Sequence, residues 1–200
     1  MLFRSGIQFG KVKIASDIKP ESLPSYIEHE YTPKSSNIDE WNYNIIYNLP
    51  KHVDTEYCIL IHDNGFIVNP ESWRSEFLNY DYIGAPWMIA PDAYLDPWGK
   101  GHRVGNGGFS FRSKKLLDVP KRAYVHFDVN WGDFYKHMGV GFTSEDGIIC
   151  VHNRHIYEAV GCKIAPIEVA ARFSHEKPLP ETQGIIPFGF HYHLPAGTVL

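Results

Sequence analysis

Asp63, Glu145 and Asp146 are the carboxylates whose surroundings suit chemistry. Asp63 stands in His62-Asp63-Asn64-Gly65, directly after the apolar run Tyr57-Cys58-Ile59-Leu60-Ile61. A carboxylate at the C-terminal end of a buried strand lies where open α/β sheets bind ligands. Hard divalent cations want such oxygen donors. Asp63 can therefore hold a metal that bridges two phosphates, with Asn64 adding a neutral oxygen and Gly65 letting a ligand near the backbone. Asp-Asn-Gly is equally good turn chemistry, and the residues alone leave both readings open. Glu145 and Asp146 fall in the first turn of a helix, where the dipole favours the ionised form. That suits a general base or an anchor for sugar hydroxyls. Thr143 and Asp146 also form a variant of the capping box, so capping competes with catalysis there.

Gly105-Asn106-Gly107-Gly108 can bring backbone N–H groups against a ligand. No Gly-Lys-Ser/Thr follows, and a strand follows instead of a helix, so the run is neither a P-loop nor a dinucleotide fingerprint. Its ordinary use is a turn that needs positive φ. His152 and His155, three apart on a helix, are a possible metal pair that lacks the Glu and the spacing of the zinc proteases. His191 and His193 alternate and point opposite ways if extended; one of them can complete a metal site, or both can lie on the surface. There is no Gly-x-Ser-x-Gly and no cysteine in a catalytic context, so covalent hydrolysis has little support.

These groups need elements to hold them. The run 57–61 reads as a central strand of a parallel sheet, buried on both faces. A short strand Lys11–Ala15 precedes it, as does a helix from Asn37 or Asp39 to about Leu49, stopped by Pro50. Phe66-Ile67-Val68 reads as a strand, and Asn69-Pro70 opens a helix to Leu78. Tyr82–Gly84 and Phe109–Phe111 read as strands, and Ser113–Leu117 as a short helix. Residues 90–103 form a long loop, and 123–142 give no clear element. The clearest helix opens at Thr143–Asp146 and ends at Gly161. Lys163–Ala165 and Ala170–Ser174 read as strands, and 176–200 as a loop-rich tail. Strands alternating with short helices indicate an α/β sandwich with a mixed, mainly parallel sheet.

Composition narrows the classes. Two hundred residues with 44% hydrophobic and 21% charged content suit one folded domain over residues 1–200. A net charge of −4 argues against a nucleic-acid partner held by phosphate neutralisation. No apolar run approaches ~20 residues, so no transmembrane segment is expected. Met1–Arg4 opens no signal peptide. Cys58, Cys150 and Cys162 are widely spaced and odd in number, which disfavours a disulfide framework and points to a reducing, cytoplasmic setting.

The order of the motifs carries more than any one of them. Ile61–Pro70 with Trp73 is followed by Tyr80-Asp81-Tyr82-Ile83-Gly84-Ala85-Pro86-Trp87 and Val104–Ser113. Then come Ser144-Glu145-Asp146, Ala165–Ser174 and Pro187-Phe188-Gly189-Phe190-His191. The series, over about residues 8–192, resembles a family of largely uncharacterised proteins with a domain of unknown function, regarded as GT-A-like glycosyltransferases. The resemblance implies a three-layer GT-A-like sandwich and sugar transfer from a nucleotide-sugar donor to a glycan or other acceptor hydroxyl. It implies that Asp63, Asn64 and His191 hold a divalent metal, manganese or magnesium, on the donor diphosphate. Gly105, Asn106, Gly107 and Gly108, with Trp87 and Arg103, would border donor and acceptor, and Glu145 or Asp146 would supply the base. Trp87 or Trp98 would stack on a sugar face.

Two departures accompany the resemblance. Asn64 stands directly before the glycine where the family pattern has Asp. Met1–Phe9 reads as the helix after the first strand, so the nucleotide-binding strand that opens a GT-A domain is expected to be missing. Both departures motivate an alternative: a non-catalytic, degenerate or truncated domain that binds a glycan or a protein partner. A metal hydrolase built on His152, His155, Asp63 and His191 is the third reading.

Overall fold

The computed structural model describes residues 7–88, 95–127 and 144–191. Thr143, His193, Met1–Arg4 and most of 123–142 therefore lie outside the described residues. Strands β1 (Lys13–Ser16) and β2 (Glu28–Tyr31) pair in parallel as a two-stranded ribbon. Helix α1 (Ile38–Tyr43) begins where Asn37 accepts the Glu40 N–H at 2.9 Å, the arrangement expected of an N-cap. It continues as a π-helical turn over Asn44–Asn48 and a tight turn over Leu49–Lys51 that contains Pro50.

β3 (Tyr57–Ile61) and β4 (Gly65–Ile67) flank the turn that carries Asp63. The helix expected from Asn69 is two short 3₁₀ turns, Pro70–Ser72 and Ser75–Asn79. The break falls at Trp73, whose ring packs on Phe77, Phe111 and Phe188. Packing of that indole outweighs the local helix signal. β5 (Tyr82–Ile83) and β6 (Phe109–Ser113) follow. α2 (Lys114–Leu117) is capped by Ser113, which accepts the Leu116 N–H at 3.0 Å.

α3 (Glu145–Gly147) passes through a π-helical turn (Ile148–His152) into α4 (Arg154–Ala159). The chain leaves it at Gly161, with φ +83°, a conformation glycine adopts at little cost. Ala170–Ser174 is not the expected strand. Residues Ile167–Phe173 form α5, and only Ser174–His175 extend, as β7. Two alanines at the centre of this stretch favour helix. β8 (Gly189–His191) closes the described chain.

Among the described residues, two three-stranded sheets, ordered β3-β6-β5 and β4-β8-β7, accompany the ribbon. Helices and strands thus make a mixed α/β structure, but the sheet direction differs from expectation. β6 runs antiparallel to both β3 and β5, while β7 and β8 are parallel and β4 is antiparallel to β8. Nor is the apolar run 57–61 the central strand: all five of its residues are only half-buried. The central strand is β6, Phe-Ser-Phe-Arg-Ser, buried at every position. An apolar run reports neither the direction of a strand nor its place in the sheet, and Ser110, Arg112 and Ser113 disguise the strand that is most enclosed. Phe77, Phe109, Phe111, Phe173 and Phe188 form the aromatic centre of the core.

Candidate functional site

The turn after β3 is built by two backbone bonds. His62 N–H reaches the Gly108 carbonyl at 2.8 Å, and Gly65 N–H reaches the His62 carbonyl at 2.9 Å. His62-Asp63-Asn64-Gly65 is therefore a tight turn, with Asp63 exposed at its tip and Asn64 half-buried. Gly65 pairs with His191 across β4 and β8. His191 in turn covers Gly108: a Cβ added at Gly108 would lie 2.0 Å from His191 Nε2. A side chain there would have to push the His191 ring aside.

His62 and His191 face each other with ring centroids 5.7 Å apart, and His62 also meets Trp41 at 4.9 Å. His62 Nε2 and His191 Nδ1 are buried and have no hydrogen-bond partner among the described residues. Burial, reinforced by His191 and Arg112, lowers the His62 pKa to about 4, while Asp146 and Asp63 pull it upward. Burial also lowers that of His191, against the same two carboxylates. Asp63 and Asp146 thus both lie within electrostatic reach of His62 and His191. Among the described residues no group of three His, Cys, Asp or Glu side chains converges as a metal cage.

The glycine run forms the floor. Gly105 lies against the Trp87 indole, where an added Cβ would come within 1.8 Å of the ring. Asn106 is the non-glycine residue with positive φ among the described residues, at 63°. It is 3% exposed, and its Oδ1 accepts the Gly108 N–H at 3.2 Å. Such strained, buried backbone concentrates at functional sites. Gly107 donates its N–H to Asp146 Oδ2 at 3.1 Å, and a Cβ there would strike Glu145 Oε1 at 1.8 Å.

The two adjacent carboxylates have different surroundings. Glu145 is 3% exposed and forms an ion pair with Arg112 Nη2 at 2.7 Å. Burial and Asp146 push its carboxyl above the usual range, and Arg112 opposes the rise. Burial works against the Arg112 charge, but Tyr82 and Glu145 together hold its pKa above the ordinary value. Asp146 accepts the Gly107 N–H and, through Oδ1, the Gly147 N–H at 2.8 Å. Ser144, the residue before the helix, makes no side-chain capping bond. Asp146 is the member of the pair that acts on both histidines.

Residues 38–191 match a family described as Protein of unknown function (DUF5672). The chain belongs to the DUF5672 family. Among curated proteins none matches it. The DUF5672 match opens at the first residue of α1 and ends on His191, so the whole candidate site lies inside it and the β1–β2 ribbon lies outside. No helix among the described residues is long and apolar enough to cross a membrane.

Of the other expected site residues, Arg103 donates to the Trp87 carbonyl from Nε and Nη2 at 3.2 and 3.0 Å, and pairs with Glu181 at 2.5 Å. It ties the β5–β6 connection to the turn at Pro180–Thr182. Trp87 is buried, whereas Trp98 is 68% exposed and meets His155 edge-on at 4.5 Å. His152 is half-buried and His155 exposed, and neither acts on the charges of His62 or His191.

Sequence reasoning passed over three residues of this DUF5672 site: His62, Arg112 and Glu176. Burial and Asp146 raise the Glu176 carboxyl above its usual range, while Lys177 and a hydrogen bond with Asn106 oppose the rise. For Arg112 a signal existed, since it alternates with Phe109 and Phe111 inside a strand. A charge placed within an apolar strand calls for a buried partner.

Proposed function

We propose that the chain is a glycosyltransferase that moves a sugar from a nucleotide-sugar donor to an acceptor hydroxyl, with Asp146 as the base. The observation that carries this is the convergence of Asp146, Asp63, His62 and His191 over the glycine floor. Three segments far apart in sequence meet there, and two of them hold a carboxylate suited to a different part of the reaction. Asp146 keeps both oxygens on backbone N–H groups, which orients the carboxylate before an acceptor arrives. It would take the acceptor proton as the hydroxyl attacks the sugar carbon. Glu145, locked to Arg112, is the supporting member of the pair, not the base.

Asp63 and His191 would hold a divalent cation, manganese or magnesium, with the amide oxygen of Asn64 beside them. The unpartnered buried Nδ1 of His191 and the exposed Asp63 carboxylate fit that task. When bound, the cation offsets the diphosphate charge and stabilises the leaving group. Trp98, with its exposed ring, suits stacking on a sugar face.

A GT-A-like three-layer sandwich is part of the same reading. Among the described residues the ribbon and the β3-β6-β5 sheet share no strand pairing. Lys11 nonetheless pairs with Asp54, Lys13 reaches the His52 carbonyl, and Glu30 pairs with His52. These links hold the ribbon beside the segment that enters β3.

The test is a panel of nucleotide sugars, with and without manganese, followed by thermal shift and by donor hydrolysis. A donor that raises the melting temperature in a manganese-dependent way and is turned over supports the proposal, since ligands of the native state stabilise it. No shift and no hydrolysis with any donor would favour the non-catalytic binding domain.

A further inference from the structure

Arg112 is fully buried, and it heads the fully buried side chains by size among the described residues. Its surroundings close a ring. Arg112 Nη2 donates to Glu145 Oε1 at 2.7 Å, and Arg112 Nε donates to Ser110 Oγ at 2.9 Å. Ser110 Oγ donates to the Gly107 carbonyl at 3.2 Å, and the Gly107 N–H donates to Asp146 Oδ2 at 3.1 Å. Asp146 follows Glu145 in the chain, so the path returns to its start. Both backbone groups of Gly107 are thereby committed, one to each arm of the ring.

Two further contacts keep the ring from shifting as a body. The Arg112 guanidinium lies 5.1 Å from the centroid of the Tyr82 ring. The Glu145 N–H reaches Asn42 Oδ1 at 3.2 Å, which ties the start of α3 to α1. Glu145 Oε1 also occupies the space that a side chain at Gly107 would need. An arginine fork fixes two directions at once, which a lysine ammonium does not. Hydrogen bonds and packing of this kind hold a functional group to its working geometry.

We infer that Arg112 is the positioning residue of Asp146: acting through Glu145 on one arm and Ser110–Gly107 on the other, it sets the carboxylate over the glycine floor. The inference rests on the reading of Asp146 as the base, but the ring itself is testable without any activity. Simple removal of Arg112 would strand the buried Glu145 charge and threaten the fold. The informative variants are therefore the apolar pair Arg112→Met/Glu145→Leu and the single Ser110→Ala. The first removes both charges together. The second leaves the ion pair intact and opens the other arm.

Two readouts on the full chain decide the matter. Hydrogen exchange of the Gly107 amide, followed by NMR, should quicken at least tenfold in Arg112→Met/Glu145→Leu, with the melting transition still cooperative. Ser110→Ala should quicken it by a smaller factor. With a donor identified, kcat should fall about 10–100-fold in the pair variant while the donor KM changes less than threefold. A role confined to stability would move the melting temperature and leave kcat and Gly107 exchange in place, and that result overturns the inference. If the wild-type chain turns over no donor but Gly107 exchange responds as stated, the ring stands and the transferase reading fails. Unchanged Gly107 exchange in both variants, with folding intact, overturns the ring.

Discussion

Gly107 gives its backbone N–H to Asp146 at 3.1 Å, across 39 positions of sequence. That single bond bears on the two readings of the Glu145-Asp146 pair. A carboxylate used only as a helix cap would turn to its own first turn. Asp146 divides its oxygens between that turn and the glycine floor of the site.

Asp146→Asn should therefore fold with a loss of about 0.5–2 kcal/mol, because the amide keeps only part of the hydrogen bonding. Its turnover should fall by roughly 10²–10⁴ while donor binding persists. Glu145→Gln should show the reverse balance. It leaves the buried Arg112 charge uncompensated, a loss of about 3–5 kcal/mol, with a smaller effect on the turnover of the folded fraction. Chemical denaturation beside single-turnover kinetics separates the two. Equal loss of turnover in both, at equal stability, would make Glu145 the base.

Asp63→Asn acts elsewhere. The side chain is exposed on its turn, so stability should change by less than about 0.5 kcal/mol. Affinity for a nucleoside diphosphate in the presence of manganese should drop about tenfold or more, because a hard cation loses a charged oxygen. Titration calorimetry with and without the metal measures it. An affinity that is unchanged in both conditions would remove Asp63 from the metal site.

Gly84→Ala tests the floor without touching a polar group. An added Cβ would lie 1.5 Å from the Gly105 carbonyl oxygen, and backbone cannot swing aside as a side chain can. The expected loss is about 3 kcal/mol, at the upper end for overpacking. It should appear as a lower denaturant midpoint. Gly10→Ala is the control, since nothing lies within 4 Å of its added Cβ.

Acid should weaken the fold in a definite window. Burial lowers the pKa values of His62 and His152 to about 4 from the ordinary 6.5. The unfolded chain therefore takes up these protons first as pH falls. Stability is full above pH 6.5, declines from there toward pH 4, and gains no further slope from these groups below it. Each contributes about 1 kcal/mol once solvent screening at partly exposed rings is allowed for. His152→Gln should flatten the profile in that window, as read by urea denaturation at several pH values. A profile identical to wild type would show that His152 titrates normally in the folded chain.

Much of this arrangement is legible in the residues. Asn37, Ser113 and Gly161 mark helix ends because caps and left-handed exits have few solutions. The Asp-Asn-Gly turn and the 57–61 strand follow from turn chemistry and an apolar run. Sheet direction was not legible, since burial looks the same in parallel and antiparallel neighbours. Trp73 breaks an apparent helix because its indole has a place in the aromatic core that no local signal encodes. Arg112 was passed over for the same reason in reverse: arginine is ordinarily a surface residue, and its partner lies 33 positions away. Glu176 gave no signal, because what distinguishes it is a neighbour, Asn106, that only the fold brings near.

The ring around Gly107 draws on just two short windows, 107–112 and 145–146. Each window is only a few residues long and its hydrogen bonds fix the register of every member, so one residue added inside either window would break the circuit at once.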